Sequence, residues 1–234
     1  MSLENYDVII LAGGLGTRLR SVVPDLPKPM APVAGKPFLA HLLNQLSKES
    51  VKRVILSVGY KANLISQHFG KNFEQIELIY AQEESALGTG GAIAYSLKKT
   101  KSDYALVLNG DTFLKMDYAD FIHSCIEFNS PLGVAIRYVP DTTRYGRCEL
   151  TNKRLTSFNE KTSCRPGWIN GGVYCIKKDL FTNNPAHENF SFEQDFISNN
   201  LDKIKIFGYE TEGYFIDIGI PSDYQQAQSD FLSI

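Results

Sequence analysis

A glycine-rich segment with two cations lies near the N-terminus and could bind phosphate groups. Three glycines follow the apolar run 6–11, and Arg18 and Lys28 come within fifteen residues of the first of them. The glycines are Gly13, Gly14 and Gly16. Residues without a Cβ allow backbone N–H groups to approach an anion closely, and Arg and Lys side chains neutralise its charge. The segment therefore predicts a site for an oligophosphate.

The residue order of this segment excludes two commoner phosphate-binding loops. A Walker loop ends in Gly-Lys-Ser/Thr, whereas Thr17 and Arg18 follow the last glycine here. A dinucleotide-binding fingerprint needs a third glycine at position 19, which is Leu19. A dehydrogenase is therefore disfavoured. Lys28 between two prolines also argues against a simple turn with a solvated arginine.

Two aspartates occupy positions where a carboxylate needs a partner. Asp111 ends the turn that follows the apolar run 104–108, and Asp217 lies inside the apolar run 215–220. A lone carboxylate among apolar residues is costly, and Mg²⁺ takes one or two protein carboxylates. The pair predicts a shared Mg²⁺ site. Two plainer interpretations stay open: an ordinary Asn-Gly-Asp turn, and an aspartate that caps the last helix.

Other polar positions could contact a base or a sugar. Gln82 precedes a second glycine-rich turn, 86–92, and its amide could pair with a base edge. Glu160 and Lys161 could meet a sugar hydroxyl and a phosphate, although the spacing alone favours an exposed ion pair. Asn170 precedes two glycines inside an apolar run, which marks a bulge or the close approach of a ligand.

The first half of the chain alternates strand and helix patterns, which predicts a parallel sheet. The strand patterns are 6–11, 53–58, 76–80 and 104–108, and the helix patterns are 37–50, 62–69, 90–99 and 117–128. Ligands of such sheets bind beyond the carboxyl ends of the strands. The polar segments that follow the strand patterns 6–11, 76–80 and 104–108 should therefore meet at one cleft.

The second half is less regular. Its strand patterns are 132–138, 147–150, 155–158, 168–176, 204–207 and 214–218, and its helix patterns are 192–199 and 221–231. No linker or repeat divides the chain. We therefore expect one α/β domain over residues 1–234, with a mixed, mainly parallel sheet and helices on both faces.

Composition excludes several classes of protein. A net charge of −2 gives no electrostatic basis for binding nucleic acid or an anionic membrane. No signal-like segment and no apolar run of membrane-spanning length occurs. The four cysteines have no Cys-x-x-Cys spacing, and the four histidines have no zinc-site spacing. We expect a cytoplasmic protein with reduced thiols.

The ordered set of motifs resembles the sugar-1-phosphate nucleotidylyltransferases, which have the nucleotide-diphospho-sugar transferase fold. The resemblance covers nearly the whole chain. Its motifs are 11–19, 27–30, 87–91, 109–111, 160–161, 170–172 and 217–219. Within the family, the segment 86–92 is most similar to members that act on D-glycero-α-D-manno-heptose 1-phosphate.

The resemblance implies a role for each motif. The nucleotide would be bound by Leu11, Ala12, Gly13, Gly14, Gly16, Thr17, Arg18, Lys28, Gln82, Gly88 and Thr89. The sugar phosphate would be bound by Asn109, Glu160, Lys161, Asn170 and Gly171. The catalytic groups would be Arg18, Lys28, Asp111 and Asp217, with the two aspartates holding Mg²⁺.

The implied reaction transfers a nucleotidyl group, GMP from GTP, to a sugar 1-phosphate and releases pyrophosphate. The product would be a nucleotide sugar for cell-surface polysaccharide synthesis. Other sugar 1-phosphates (mannose, glucose or N-acetylmuramate), a polyol-phosphate cytidylyltransferase and a non-catalytic nucleotide-sugar sensor stay open as alternatives. A homodimer also stays open. We expect no hexapeptide-repeat extension, since the sequence ends soon after Asp217.

Overall fold

The strands of the structure lie close to the sequence patterns. The structure is a computed structural model that describes residues 2–14, 19, 22–159, 165–184 and 188–233. The strands are β1 Asp7–Leu11, β2 Pro32–Val33, β3 Lys36–Pro37, β4 Arg53–Val58, β5 Asn72–Phe73, β6 Ile76–Gln82, β7 Tyr104–Asn109, β8 Thr112–Leu114, β9 Leu132–Val139, β10 Arg147–Thr151, β11 Arg154–Asn159, β12 Gly167–Lys177, β13 Ile206–Thr211 and β14 Phe215–Asp217.

The helices also follow the predicted order. They are α1 Phe38–Lys48, α2 Ala62–Phe69, α3 Gly88–Leu97, α4 Tyr118–Glu127, α5 Leu180–Asn183, α6 Ser198–Asn200 and α7 Pro221–Asp230. A 3₁₀ turn spans Lys28–Met30, and a π-helical segment, Phe192–Ile197, precedes α6. Single π-helical turns are rare and occur frequently at functional sites.

Ten of the described strands form one mixed sheet in the order β10-β11-β13-β9-β12-β7-β1-β4-β6-β5. The mixed α/β fold is confirmed, but parallel pairing is concentrated in one half. There, β6, β4, β1 and β7 are parallel neighbours. In the other half β12 runs antiparallel to both β7 and β9, while β13 is parallel to β9.

The departure from a mainly parallel sheet has a local cause. Antiparallel neighbours need only a short turn, whereas parallel neighbours need a crossover connection. Asn152 and Lys153 connect β10 to β11, and both have positive φ, 50° and 61°. This conformation suits a two-residue hairpin.

Side-chain alternation along the strands divides the core into two layers. Val8 and Ile10 of β1 join a cluster with residues of α1, α2, α4 and α7, which we call the first face. Ile9 joins a cluster with residues of α3 and the π-helical segment, which we call the second face. Helical elements therefore cover both faces, as expected.

The short strands β8 and β14 pair outside the large sheet, with one acidic residue just before β8 and another at the end of β14. β14 pairs antiparallel with β8, and Asp217 lies opposite Thr112. The backbone N–H of Ile218 donates to the carbonyl of Asp111 at 3.0 Å. This ribbon brings two aspartates together that are far apart in the sequence. Among the described residues, no helix is long and apolar enough to cross a membrane.

Candidate active site

The loop after β1 is held between the ends of β4 and β7. The backbone N–H of Ala12 donates to the carbonyl of Ser57 at 2.7 Å, and the N–H of Gly110 donates to the carbonyl of Leu11 at 3.0 Å. A Cβ on Gly110 would lie 2.4 Å from that carbonyl oxygen. Because no side chain fits there, Gly110 lets β7 turn against β1 and brings Asp111 beside the loop.

A cavity of about 500 Å³ opens at this edge of the sheet. Its walls come from the ends of β1, β4 and β6 and from the start of α3. They are formed by Leu11, Gly13, Gly14, Ser57, Gly59, Tyr60, Glu83, Glu84, Ser85, Ala86, Gly88, Thr89 and Ala92. The predicted nucleotide-binding residues Leu11, Gly13, Gly14, Gly88 and Thr89 thus meet at one cavity, and Ala12 is buried beside it.

Two acidic residues in the cavity wall escaped the sequence analysis. Ser57 Oγ donates to Glu83 Oε1 at 3.1 Å, and the backbone N–H of Leu87 donates to Glu83 Oε2 at 3.3 Å. Glu83 therefore ties β4 to the loop that precedes α3, and Glu84 follows it in the wall. Two consecutive acidic residues shortly after the predicted strand 76–80 were the available signal.

Gln82 lies elsewhere. It is exposed at the end of β6 and is not among the described residues that line the cavity. Side chains alternate along a strand, and its neighbour Ala81 belongs to the second face, where α3 packs. Gln82 therefore emerges on the opposite side, and its contact with a base stays a prediction.

The glycines that begin α3 make room for the segment 188–190. A Cβ on Gly88 would lie 2.4 Å from the carbonyl oxygen of Phe190, and one on Gly91 would lie 2.3 Å from that of Glu188. The backbone N–H of Gly90 donates to the carbonyl of Phe190 at 3.0 Å. These glycines are therefore required for packing, while Gly88 also borders the cavity.

Lys28 and the two aspartates form a polar cluster. Lys28 Nζ donates to Asp111 Oδ2, and the lysine side chain is only 10% exposed. Asp217 Oδ1 accepts the backbone N–H of Gly219 at 2.7 Å. A Cβ on Gly219 would lie 2.7 Å from Asp217 Oδ1 and 3.0 Å from Lys28 Nζ, so these two polar atoms approach the same point.

The interpretation of Asp217 as a cap of the last helix is wrong. The residue before α7 is Ile220, which makes no side-chain cap, and the described bond of Asp217 goes to Gly219 instead. Asp217 therefore points to the cluster with Lys28. An acidic residue does lie in the first turn of α7, Asp223, and it forms a two-point ion pair with Arg144.

A bulge in β12 brings a second group of polar residues to the sheet. The register with β9 shifts between Asn170 and Tyr174, as two glycines in a strand predict. Gly172 has a φ of +70°, and a Cβ there would lie 2.9 Å from Asn109 Nδ2. Asn109 Oδ1 is buried and accepts no hydrogen bond from the described residues. A buried carbonyl oxygen of this kind calls for a donor from a ligand or solvent.

The remaining predicted site residues lie outside the described residues. They are Gly16, Thr17, Arg18, Glu160 and Lys161. The structure thus brings together Gly13, Gly14, Gly88 and Thr89 around the cavity, Lys28, Asp111 and Asp217 in the polar cluster, and Asn109, Asn170 and Gly171 at the bulge.

A cavity beyond the ends of parallel strands, walled by glycines and bordered by a lysine–aspartate cluster, is typical of α/β nucleotide-binding proteins. The model of one family, described as nucleotidyl transferase, matches residues 7–233 of this chain. The chain therefore belongs to the nucleotidyl transferase family, which confirms the resemblance drawn from the motifs.

Two relatives that share one named activity match almost the whole chain. The D-glycero-alpha-D-manno-heptose 1-phosphate guanylyltransferase of Aneurinibacillus thermoaerophilus is 42% identical over 96% of this chain and 97% of its own length. That of Campylobacter jejuni is 44% identical over 92% and 96%. The crystal structure of HddC from Yersinia pseudotuberculosis complexed with GMP-PN superposes with a TM-score of 0.86 at 41% identity, covering 97% of this chain and 99% of that chain.

Proposed function

We propose that this protein transfers GMP from GTP to D-glycero-α-D-manno-heptose 1-phosphate, forming the GDP-sugar and pyrophosphate. The main support is the 42–44% identity to two heptose 1-phosphate guanylyltransferases over nearly the full length of each. The glycine-walled cavity and the adjoining Lys28 cluster add the features that such a transfer needs.

The nucleotide would occupy the cavity at the end of β1. Guanine carries N–H donors on its base-pairing edge, including the N2 amino group, and a carboxylate is an acceptor for such donors. Glu83 and Glu84 are the acidic residues of the described cavity wall. We assign the recognition of guanine to this part of the wall, with Gly88 and Thr89 beside the base or ribose.

The sugar phosphate would lie toward the bulge of β12. Asn109 Oδ1 is buried and needs a donor, which a sugar hydroxyl supplies. Asn170 and Gly171 lie on the same bulge. Glu160 and Lys161 complete this set as predictions from the resemblance.

In the proposed reaction, an oxygen of the sugar 1-phosphate attacks the α-phosphorus of GTP in line with the departing pyrophosphate. A P–O bond forms to the sugar phosphate as the bond to the β-phosphate oxygen breaks, so no covalent intermediate with the protein is needed. Lys28, together with Arg18, would neutralise the charge that develops on the phosphates, and the binding groups would align the reactants.

The two aspartates fit a divalent cation. Asp217 ends β14 and Asp111 directly precedes its partner strand β8, so both supply hard oxygen ligands at the same end of this ribbon. Among the described residues, no group of three His, Cys, Asp or Glu side chains could hold a metal, so phosphate oxygens would have to complete the ligands. Mg²⁺ bound there would supply positive charge to the phosphates. Lys28, which contacts Asp111, would hold that carboxylate in place.

The decisive experiment measures pyrophosphate release with Mg²⁺, each of the four nucleoside triphosphates, and a panel of sugar and polyol phosphates. The panel includes the 1-phosphates of mannose, glucose, N-acetylmuramate and D-glycero-α-D-manno-heptose. Turnover with GTP and the heptose phosphate alone supports the proposal. Turnover with another pair keeps the family reaction and rejects the substrates. Nucleotide binding without turnover would favour a sensor.

A further inference from the structure

A chain of partly buried hydrogen bonds leads away from the proposed sugar-binding residue Asn170. Asn170 Nδ2 donates to the hydroxyl of Tyr174 at 2.7 Å, and that hydroxyl donates to Glu193 Oε1 at 2.9 Å. Tyr174 is completely buried, and Glu193 lies in the π-helical segment. The chain thus connects the bulge of β12 to an element that the motifs did not single out.

The Glu193 carboxylate at one end and the backbone N–H of Gly172 at the other determine the direction of the bonds between them. A carboxylate only accepts hydrogen bonds, so the hydroxyl hydrogen of Tyr174 must point to Glu193. The hydroxyl oxygen then accepts from the NH₂ group of Asn170, and the amide oxygen of Asn170 faces the backbone N–H of Gly172 at 3.0 Å. Burial and the neighbouring Glu193 raise the pKa of Tyr174 well above its ordinary value, so the hydroxyl keeps its proton.

The other oxygen of the same carboxylate reaches the nucleotide side. Thr89 Oγ1 donates to Glu193 Oε2 at 2.9 Å, and the backbone N–H of Phe192 donates to Thr89 Oγ1 at 2.8 Å. Thr89 lines the cavity at the start of α3. Glu193 therefore stands between the cavity and the bulge, with one oxygen bonded toward each.

We propose that Glu193 is a positioning residue that, through Tyr174, determines which edge of the Asn170 amide faces the sugar phosphate. The inference rests on the proposed function, because it takes Asn170 as a ligand of the sugar. Tyr174 is too deeply buried to touch a substrate, and Glu193 acts through it. The Thr89 bond links the same carboxylate to the start of α3, so its loss affects both substrates.

Two variants distinguish the hydrogen bonds that the two carboxylate oxygens of Glu193 accept. Tyr174→Phe removes the link to Asn170 and leaves Thr89 bonded, so the KM for the sugar phosphate should rise about tenfold while the KM for GTP stays within about twofold. Glu193→Gln leaves one acceptor oxygen for two donors, the hydroxyls of Tyr174 and Thr89, so at least one of the two KM values should rise. A loss of the hydrogen bond alone, without a ligand effect, would change thermal stability but neither KM.

Two matched controls lie far from the site. Tyr104→Phe removes a tyrosine hydroxyl bonded at 3.2 Å to the carbonyl of Ser130, at the opposite edge of the sheet. Asp120→Asn alters a carboxylate of α4 that accepts the hydroxyl of Tyr209 at 2.6 Å. Both controls should leave the two KM values unchanged even where they lower the melting temperature.

A second readout follows the Asn170 side-chain amide by NMR in ¹⁵N-labelled protein, with Asn170→Ser used to assign its resonance. Tyr174→Phe and Glu193→Gln should both move this resonance, and the two controls should not. A resonance that stays in place in both variants overturns the inference, as does a sugar-phosphate KM that changes no more than in the controls. If the wild-type protein turns over no substrate pair, the proposed function is rejected instead. The amide resonance of Asn170 then still tests the hydrogen-bond chain.

Discussion

The two halves of the sheet present their polar groups in different ways. In the parallel half, β1, β4, β6 and β7 end at one edge, and the site is made of the loops that follow them. In the antiparallel half, the polar residues lie within β12, at a bulge in the middle of a long strand. The parallel half offers the glycines of the cavity, the Lys28 cluster and the buried amide of Asn109, whereas the antiparallel half offers Asn170 from within β12.

This difference follows from how strands are connected. Successive parallel strands all point the same way, so their C-terminal ends and loops gather at one edge without further arrangement. An antiparallel strand has its neighbours' loops at both ends, and in β12 the polar group lies in the middle of the strand, where the pleat is interrupted. The glycines at 171–172 interrupt it, since Gly172 takes a φ of +70° beside Asn109.

The largest effect on catalysis is expected from Lys28, in the polar cluster. Lys28→Ala should lower kcat by about 10²–10³, by analogy with the loss of one preorganised charge-stabilising donor. The measurement is pyrophosphate release at saturating substrates. Lys48→Ala, at the end of α1, is the control and should keep the wild-type rate. An unchanged rate in Lys28→Ala would remove Lys28 from the catalytic groups.

A smaller effect should appear in the antiparallel half alone. A methyl group at position 172 meets Asn109 Nδ2 and forces a left-handed residue, so Gly172→Ala should raise the sugar-phosphate KM about tenfold. The KM for GTP should stay near the wild-type value. Steady-state kinetics with each substrate varied in turn measure both.

Gly70→Ala is the matched control for that variant. Gly70 has a similar φ of +64°, but a Cβ there meets no described atom within 4 Å. It should show the cost of an alanine at positive φ in its melting temperature, without a change in either KM. Equal kinetic effects in the two variants would mean that backbone strain alone is responsible and that Asn109 is not a ligand.

The sequence predicted the parallel half more fully than the antiparallel half. The patterns at 53–58 and 62–69 coincide with β4 and α2, because their apolar spacing belongs to one element each. In the other half, β13 was predicted at 204–207 but spans Ile206–Thr211. Its later residues are polar, and parallel pairing with β9 holds them in the sheet.

The candidate site shows the same division between local and distant signals. Lys28 and Asp111 were found because each stands in a recognisable short motif, and their contact follows from the fold. Glu83 and Glu193 were missed, since an acidic residue in a loop or helix is commonplace. Their roles depend on partners distant in the chain, such as Ser57 and Tyr174, which no spacing reveals.

A modest effect is expected on the nucleotide side. Glu83→Gln replaces an acceptor of the Ser57 or Leu87 bond with an NH₂ group, so the KM for GTP should rise about fivefold. The KM for the sugar phosphate should not change, in contrast to Gly172→Ala. Glu77→Gln, on the preceding strand β6 and paired with Arg53, is the control. A rise confined to the sugar phosphate would contradict the assignment of this cavity to the nucleotide.

The smallest effect concerns local stability rather than catalysis. Burial raises the pKa of the Cys148 thiol to about 12, so in native protein at pH 8 this thiol should be nearly unreactive toward a disulfide reagent. Cys125 and Cys175 are also buried, on α4 and the long central strand β12, whereas Cys148 lies on the short strand β10, which pairs with β11 and, over two residues only, with β12. Below the unfolding midpoint in urea, Cys148 should therefore react first, because a short strand held by few paired residues opens locally at lower free energy than a long central one.

The rates can be compared in a Cys164→Ala background, with Cys148→Ala added to identify the fast phase. Loss of the fast phase in the double variant would show that β10 opens before the rest of the sheet. Simultaneous reaction of all three thiols would mean that both halves unfold as one cooperative unit. The contrast between the halves would then concern ligand contacts only, since the two would share a single stability.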